Sequence, residues 1–415
     1  MISYNRFQLE NGLRVIVQEE PDTALVAVNI AYDVGARDEH PDKTGFAHLF
    51  EHLMFSGSKN IPDFDMPIQQ AGGECNAFTS SDLTNYYDIL PVNNLEVAFW
   101  LESDRMLSLD FDPQSLEIQK KVVCEEFKEN FINRPYGNVW HQLRALSYQS
   151  HPYRWPVIGK DLSHVENASL QDMQAFFYKY YRPNNAVLVV TGGVQTAKVK
   201  SLAQKWFGEI EKGETNVRKL PQEAAQKQFR SLTLTEEVPA EAIYLSFHST
   251  TRSDPDYYVS DLITDILAVG LSSRFYQKLV KDKELFSYID TYISSDLDEG
   301  LLVIYGHVMP NISLEDAEAA LWELLEDLKN KPVENKELQK VKNKVESQIF
   351  FAETSVTNNA INLAFYEIMG DVSEMNREAQ QYSKVDTDAI QRVSQRIFQR
   401  ENCSAVYYRC KKGGQ

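Results

Sequence analysis

The stretch T-G-F-A-H-L-F-E-H-L-M-F at residues 44–55 constrains the interpretation of the whole chain. On an α-helix, His48, Glu51 and His52 stand at i, i+3 and i+4, so their side chains share one face. The residues between and around them are almost all apolar. Two imidazoles one turn apart can hold Zn²⁺, and a carboxylate between them can take a proton from water at the metal.

A structural explanation of the same stretch has to be weighed. Five-residue patterns occur by chance, and a lone buried histidine is usually a packing residue. Here three ionisable side chains stand on one turn of an apolar helix, where burying them without partners is costly. The inverted order H-x-x-E-H is a known zinc-peptidase signature. We therefore expect a metal-binding helix with Thr44 as its N-cap and Ser56-Gly57-Ser58 as its stop.

Length and composition indicate a globular chain of two or more domains. The 415 residues exceed what one ordinary core accommodates. A hydrophobic content of 43% with 25% charged residues is typical of soluble proteins, and no apolar run is long enough to span a bilayer. Residues 1–7 lead directly into a strand-like pattern with no signal or transit segment, so we expect a cytoplasmic location.

Cysteine usage and net charge restrict the compartment and the partners. The four cysteines show no C-x-x-C spacing, which fits a reducing compartment rather than a disulfide scaffold. A net charge of −18 argues against nucleic acid or an anionic membrane as a partner. The same charge suits a cationic polypeptide substrate, although many soluble proteins are acidic for solubility alone.

The order of predicted elements is similar in the two halves of the chain. Each half opens with strands, passes through helices and ends in a strand, which predicts two related α+β domains. Each is expected to be a mostly antiparallel sheet packed with helices on one face. We predict an N-terminal domain at 1–212, a polar linker at 213–230 and a C-terminal domain at 231–415.

A catalytic zinc needs a third protein ligand, and carboxylates are common in that role. Asp112-Pro113 predicts the start of a long helix that runs to about Phe131. Glu126 is favoured because it continues the apolar face of Val122 and Val123, which we expect to point inward. Spacing alone does not choose among the carboxylates of this helix, which are Glu117, Glu125, Glu126 and Glu129.

A Gly-Gly turn at residues 72–73 leads into a polar strand that ends near Ile89. Polar strands are often edge strands, and an exposed edge can accept another chain by main-chain pairing. An ordinary surface strand is the simpler explanation of this stretch when it is considered alone.

Several ordered segments together resemble the pitrilysin/insulinase family of zinc peptidases. The resemblance covers about the full chain and is closest in length to the short branch that includes the mitochondrial processing peptidase subunits and their bacterial relatives. The segments that carry it are Asn11-Gly12-Leu13, Gly45 to Phe55, Gly73 to Tyr87, Glu102-Ser103-Asp104-Arg105-Met106, Val122 to Phe127, His151-Pro152-Tyr153, Pro156-Val157-Ile158-Gly159 and Tyr181-Arg182-Pro183-Asn184-Asn185.

The resemblance implies a role for each residue of the first-half site. His48 and His52 correspond to the histidine ligands of zinc, and Glu126 corresponds to the distal glutamate ligand. Glu51 corresponds to the general base. The segment from Gly73 to Thr79 resembles the edge strand to which substrates add, so Gly73, Asn76, Ala77 and Phe78 are the predicted substrate-binding residues.

Two departures from the family pattern concern residues near the expected site. Tyr288 resembles the family tyrosine that polarises the substrate carbonyl, but the expected arginine seven residues earlier is Lys281, which lacks the bidentate fork. A further glutamate seven residues before the distal ligand is replaced by Gln119. Some short-branch members act as unlike pairs, so the resemblance implies either a homodimer or a heterodimer with a related metal-free subunit.

The sequence therefore predicts a zinc-dependent endopeptidase with the fold of half a clamshell. Its substrates are expected to be peptides or small unfolded polypeptides, bound as an added β-strand inside a closed chamber. One alternative is a non-catalytic or partner-dependent subunit of a peptidase-like heterodimer. Another is a purely structural zinc, but such sites are usually closed by four protein ligands, often cysteines.

Overall fold

The computed structural model describes residues 1–411. No helix in that range combines the length and the hydropathy that a membrane span requires. In chain order the helices and strands are β1 (Asn5–Gln8), β2 (Arg14–Glu19), β3 (Leu25–Tyr32), α1 (Phe46–Leu53), α2 (Asp65–Gln70), β4 (Glu74–Thr79), β5 (Thr84–Pro91), α3 (Leu95–Leu107), α4 (Pro113–Phe127), α5 (Val139–Ser147), α6 (Leu162–Glu166), α7 (Leu170–Tyr180), β6 (Ala186–Gly192), α8 (Thr196–Phe207), β7 (Arg230–Glu236), β8 (Ala242–His248), α9 (Asp256–Ala268), β9 (Phe286–Ile293), β10 (Leu301–Val308), α10 (Leu314–Asn330), α11 (Asn335–Ala352), α12 (Val356–Met369), α13 (Glu378–Lys384), α14 (Thr387–Ile397) and β11 (Cys403–Cys410).

The strands form two sheets with the same core topology. The first sheet has the order β1-β2-β6-β3-β5-β4 and the second has the order β7-β11-β8-β10-β9. If β1 is left out and the five strands of each sheet are numbered by their order in the sequence, both sheets have the strand order first, last, second, fourth, third. In both, the first strand pairs with the last in parallel and every other pairing is antiparallel. The prediction of two related α+β domains with mostly antiparallel sheets is confirmed.

Helices cover both faces of the first sheet, which is more than the predicted single face. Strands β3 and β6 are buried along almost their whole length, because Val, Ile, Leu and Ala occupy both of their faces. On one face, Ala27 and Ala31 pack against Leu363 and Ala364 of α12. On the other, the ring of Tyr32 contributes to an aromatic cluster with α1 and α7.

The second sheet is covered in the same way. Tyr244 on β8 packs against Val139 and Leu143 of α5. Phe247, on the opposite face of the same strand, contacts Trp322 of α10 with ring centroids 5.7 Å apart. A sheet with two apolar faces needs a helix layer on each.

The chain divides into two compact units, and this corrects the predicted domain boundaries. The first unit comprises Met1–Phe127, Trp155–Leu220 and Ile349–Arg377, and the second comprises Lys128–Arg154, Pro221–Gln348 and the chain from Glu378 onward. The main crossing falls inside the predicted linker, where residues 211–229 form no helix or strand. Residues 128–154 and 349–377 were assigned to the wrong domain, because α5 and α12 supply the second helix layer of sheets that lie in the other half of the sequence.

Candidate active site

The motif helix begins at a left-handed glycine rather than at the predicted N-cap Thr44. Gly45 has φ = 86°, and a Cβ there would lie 2.6 Å from the carbonyl oxygen of Ile158. The first N–H groups of α1 are satisfied by the buried carboxylate of Glu39. It accepts from the N–H of Gly45 (3.0 Å) and of Ala47 (2.8 Å). Burial raises the pKa of Glu39 to about 8, against the effect of these two donors.

Apolar packing fixes the orientation of α1. Leu49 and Phe50 are fully buried, and the ring of Phe50 lies 4.3 Å from that of Tyr181 and 5.9 Å from that of Phe177. Burying one such side chain contributes about 1.5–3 kcal/mol to folding. Because the buried positions fill one side of this short helix, His48 and His52 are directed to its opposite, less buried side.

The structure brings together the three predicted metal ligands. One candidate ligand atom from each of His48, His52 and Glu126 lies within 4.8 Å of the other two. Nε2 of His48 is 3.7 Å from Oε2 of Glu126, and Nε2 of His52 is 3.6 Å from the same oxygen. Glu126 reaches the histidines because α4 packs against α1. All three residues belong to the first unit.

The electrostatics of this cluster favour ligand protonation states that can bind a metal. Burial lowers the pKa of His48 to about 4, so its imidazole is neutral at pH 7. Interaction with His52 lowers the pKa of Glu126, which is therefore ionised. Neutral imidazole and ionised carboxylate are the forms that coordinate metal ions.

The donor set fits zinc better than the other common ions. Two imidazole nitrogens and one carboxylate oxygen match the three-ligand sites of catalytic zinc, which keep a fourth position open. Calcium and magnesium prefer oxygen ligands alone. Within residues 1–411 this is the one group of three or more His, Cys, Asp or Glu side chains with metal-binding spacing. None of the four cysteines belongs to this cluster.

Glu51, the predicted general base, is held by a strand residue. The hydroxyl of Thr79, at the end of β4, donates to Oε2 of Glu51. Burial raises the pKa of Glu51, and the Thr79 bond acts in the opposite direction. A carboxylate with a raised pKa beside two imidazoles is suited to accept and return a proton.

The predicted substrate strand is an edge strand. Within residues 1–411, strand β4 pairs with β5 alone, and the side chains of Asn76 and Phe78 on it are exposed. The N–H of Ala77 donates to Oδ1 of its neighbour Asn76 (2.8 Å). Gly73 lies just before the strand, where a Cβ would meet the carbonyl oxygen of Ile89 at 2.7 Å. The edge position is thus a property of the fold, while the binding of substrate there stays a prediction.

The packing of α4 contradicts one step of the sequence argument. Val123 is buried as expected, but Val122 is 45% exposed and does not point inward. Glu126 nevertheless reaches the histidines. Gln119 donates from Nε2 to Oγ of Ser56 (2.9 Å), just beyond the C-terminus of α1. Gln119 stands at the position of the expected family glutamate. Its hydrogen bond links α4 to the end of the motif helix.

Lys281 and Tyr288 lie in the second unit. Lys281 is exposed on the π-helical turn Tyr276–Asp282. Tyr288 is 46% exposed on β9, and its hydroxyl donates to Oδ2 of Asp290 (2.8 Å). The register of β9 against β10 shifts beside Tyr288, as at a β-bulge. The roles predicted for Lys281 and Tyr288 stay predictions.

Two residues that support the site were not identified from the sequence. Thr79 lay within the predicted substrate strand, but nothing in its spacing linked it to Glu51. Glu39 lies in a polar loop, where an isolated carboxylate gives no signal of a buried capping role.

Two models of one peptidase family match this chain. The model of the insulinase family, peptidase family M16, matches residues 14–160. A second model, the peptidase M16 inactive domain, matches residues 167–345. The chain belongs to the insulinase family, peptidase family M16.

Relatives within the insulinase family extend over almost the whole chain. The zinc protease PqqE of Helicobacter pylori is 28% identical over 405 residues, covering 96% of this chain and 91% of that protein. The crystal structure of a protease from Helicobacter pylori superposes with a TM-score of 0.93 at 28% identity, covering 99% and 100% of the two chains. Mitochondrial-processing peptidase subunit beta of Saccharomyces cerevisiae is 27% identical over 263 residues, covering 61% of this chain and 55% of that protein.

Proposed function

We propose that this chain is a zinc-dependent endopeptidase that cleaves peptides or small unfolded polypeptides bound as an added β-strand in a closed chamber. The observation that carries the proposal is the convergence of His48, His52 and Glu126 with the carboxylate of Glu51 on the same helix as the histidines. A structural zinc site would use a fourth protein ligand. Membership of a family whose relatives are named zinc proteases supports the same conclusion.

The residues of the first unit divide the chemistry among them. His48, His52 and Glu126 would hold zinc, which when bound acts as a Lewis acid that polarises the scissile carbonyl and lowers the pKa of the attacking water. Glu51 accepts a proton from that water and later passes it to the leaving amine. The Thr79 hydroxyl orients the Glu51 carboxylate for this transfer.

The substrate is proposed to pair with the free edge of β4. Main-chain hydrogen bonds to an edge strand are available to any extended peptide, so the affinity does not depend strongly on sequence. In a folded protein most main-chain groups are already paired. The proposed substrates are therefore flexible chains, selected by length and by their ability to extend.

Hydrolysis of an internally quenched fluorescent peptide by the purified chain tests this function. The peptidase proposal predicts cleavage that a chelator abolishes and that added zinc restores. Absence of cleavage by a chain that binds one zinc per molecule would contradict a self-sufficient enzyme.

A partner-dependent subunit is the second candidate function. It is favoured by the likeness to a processing-peptidase subunit, by Lys281 at the expected arginine position and by Gln119 at the expected glutamate position. We propose that the active form is a dimer, either of two copies or with a related metal-free chain. Light scattering of the zinc-loaded chain measures whether it forms a dimer of two copies. A monomer that binds zinc without cleaving peptide would point to a missing partner chain.

A further inference from the structure

A group of aromatic side chains surrounds a carboxylate on the second sheet. We call Tyr288, Asp290, Tyr292, Tyr305 and His307 the tyrosine patch. The first three alternate along β9 and therefore point to one face. On β10, Tyr305 lies directly opposite Asp290, and His307 lies opposite Tyr288. Neighbours directly opposite each other in an antiparallel pair share a face, so all five side chains stand on the same side.

The patch lies at the edge of this face, beside the part that helix α5 covers, and the ring of Tyr136 stacks on His307 with centroids 4.9 Å apart. Helix α5 buries Tyr244 and Val303 on the adjoining strands. Tyr288 and Tyr292 remain 46% and 37% exposed. Strand β9 is the edge of its sheet, the topological position that β4 holds in the first sheet. A side chain approaching from solvent therefore reaches the rings without displacing the core.

Packing from behind holds the rings of the patch in place. The ring of Tyr305 stacks on buried Tyr244, with centroids 5.9 Å apart and planes 9° apart. Its other neighbours are Tyr288 at 5.8 Å and Tyr292 at 6.3 Å, both edge-on. The Trp140 ring supports Tyr292 at 5.9 Å. Rings that are already ordered lose little rotamer entropy when they bind a ligand.

Asp290 gives the patch its charge. Its carboxylate accepts from the Tyr288 hydroxyl and from the N–H of Thr291, both at 2.8 Å. Within residues 1–411 no lysine, arginine or histidine forms an ion pair with it. Burial lowers the pKa of His307, which stands on the same face, so that ring is neutral at pH 7. Arg144 interacts electrostatically with Tyr292. Within the described residues the carboxylate of Asp290 thus lies among electron-rich rings without an ion-pair partner.

This arrangement suits a cation. A cation within about 6 Å of a tyrosine ring centroid is attracted by the ring quadrupole, and a carboxylate at the same place adds a direct ion pair. Two residues along a strand span about 6.6 Å, so a cation at Asp290 lies within reach of the rings on either side. An apolar ligand would leave the carboxylate desolvated and unpaired, which is costly.

We propose that the tyrosine patch binds the cationic side chain, arginine or lysine, of a peptide. The proposal rests on the peptidase function proposed above and names the chemistry of its substrates. Attraction of cationic peptides also agrees with the net charge of −18.

Peptide binding to a full-length chain that carries Glu51→Gln tests the proposal without cleavage. Fluorescence anisotropy gives the Kd of a labelled unstructured peptide with one arginine, and of the same peptide with citrulline, which keeps the shape and removes the charge. Asp290→Asn should weaken binding of the arginine peptide by about threefold to tenfold and leave the citrulline peptide unchanged. Tyr292→Leu should weaken it by a smaller factor, and Tyr292→Phe should retain affinity.

Glu346→Gln is the matched control, since it removes one exposed negative charge on α11, outside the patch. Equal weakening of both peptides by Asp290→Asn, no weakening of either, or the same effect from Glu346→Gln would overturn the proposal. Cleavage by the unmodified zinc-loaded chain is measured separately. Failure to cleave would contradict the peptidase function, while the difference between the two peptides would still report on the patch.

Discussion

The two sheets share one strand order, yet the helix that follows the second strand differs between them. In the first sheet β3 leads to α1, which carries His48, Glu51 and His52. In the second sheet β8 leads to α9, which has no histidine and buries leucines and isoleucines instead. The same topology therefore supports a candidate metal centre in one unit and only packing at the corresponding position of the other. Site chemistry is decided by side chains placed on a common framework.

The edge strands β4 and β9 differ in a similar way. Each contains an N–H that donates to the side chain of the preceding residue, Ala77 to Asn76 on β4 and Thr291 to Asp290 on β9, both at 2.8 Å. Beyond this shared feature, β4 places Thr79 against Glu51 and exposes one ring, that of Phe78, whereas β9 exposes Tyr288 and Tyr292. We infer that main-chain pairing suits β4 and that side-chain recognition suits β9.

The largest expected effect comes from removing a ligand on α1. His52→Ala should reduce bound zinc from one per chain to near zero and peptidase activity by on the order of 10³-fold or more, because two remaining ligands hold the ion weakly. Metal content by mass spectrometry and peptide hydrolysis measure both. His40→Ala, at an exposed histidine outside the cluster, is the control. Full zinc content in His52→Ala would mean that the ligands are elsewhere.

A proline on the edge of the first sheet tests which edge receives substrate. Ala77→Pro removes a main-chain donor from β4, while edge strands tolerate proline without loss of the fold. We expect kcat/KM to fall by about 10- to 100-fold, mainly through KM. Ala77→Ser keeps the donor and should retain activity. Unchanged KM in a folded Ala77→Pro variant would exclude pairing at this position.

The free energy of unfolding should depend more on a single side chain at the start of α1 than on any one side chain at the start of α9. Glu39→Ala leaves two buried N–H groups at Gly45 and Ala47 without acceptors. The free energy of unfolding should drop by about 1–3 kcal/mol. Urea denaturation followed by circular dichroism measures it. An unaltered urea midpoint would show that other groups satisfy these donors.

The smallest effect is expected at Gln119. Its amide donates to Ser56, and a glutamate could accept from the same hydroxyl, because serine both donates and accepts. Gln119→Glu, which restores the residue expected from the family, should change kcat by less than about threefold. A rise of tenfold or more would show that Gln119 limits catalysis in the natural chain.

The local part of the site could be predicted from the sequence. The spacing of His48, Glu51 and His52 places them on one helical face wherever that helix lies in the fold. Glu126 needed two further arguments, the helical face and the family resemblance, and the structure places it beside both histidines. The face argument was partly wrong, since Val122 is exposed. Glu126 nevertheless lies beside the histidines, because α4 packs against α1.

Longer-range features could not be predicted in the same way. Residues 128–154 and 349–377 are predicted as parts of their own halves, and nothing in their spacing says which sheet they cover. Glu39 caps α1 only because the chain folds back at the left-handed Gly45. The tyrosine patch depends on the register of β9 against β10. A one-residue shift in that register would change which side chains lie opposite one another.

The most direct test of the proposed catalytic site compares the zinc-loaded natural chain with Glu51→Gln in single-turnover hydrolysis of one quenched peptide. The variant should bind zinc with unchanged stoichiometry and bind the peptide with similar affinity. Its cleavage rate should fall by about 10²- to 10⁴-fold, since glutamine cannot accept the proton. Full turnover by a zinc-loaded Glu51→Gln chain would contradict the assignment of Glu51 as the base.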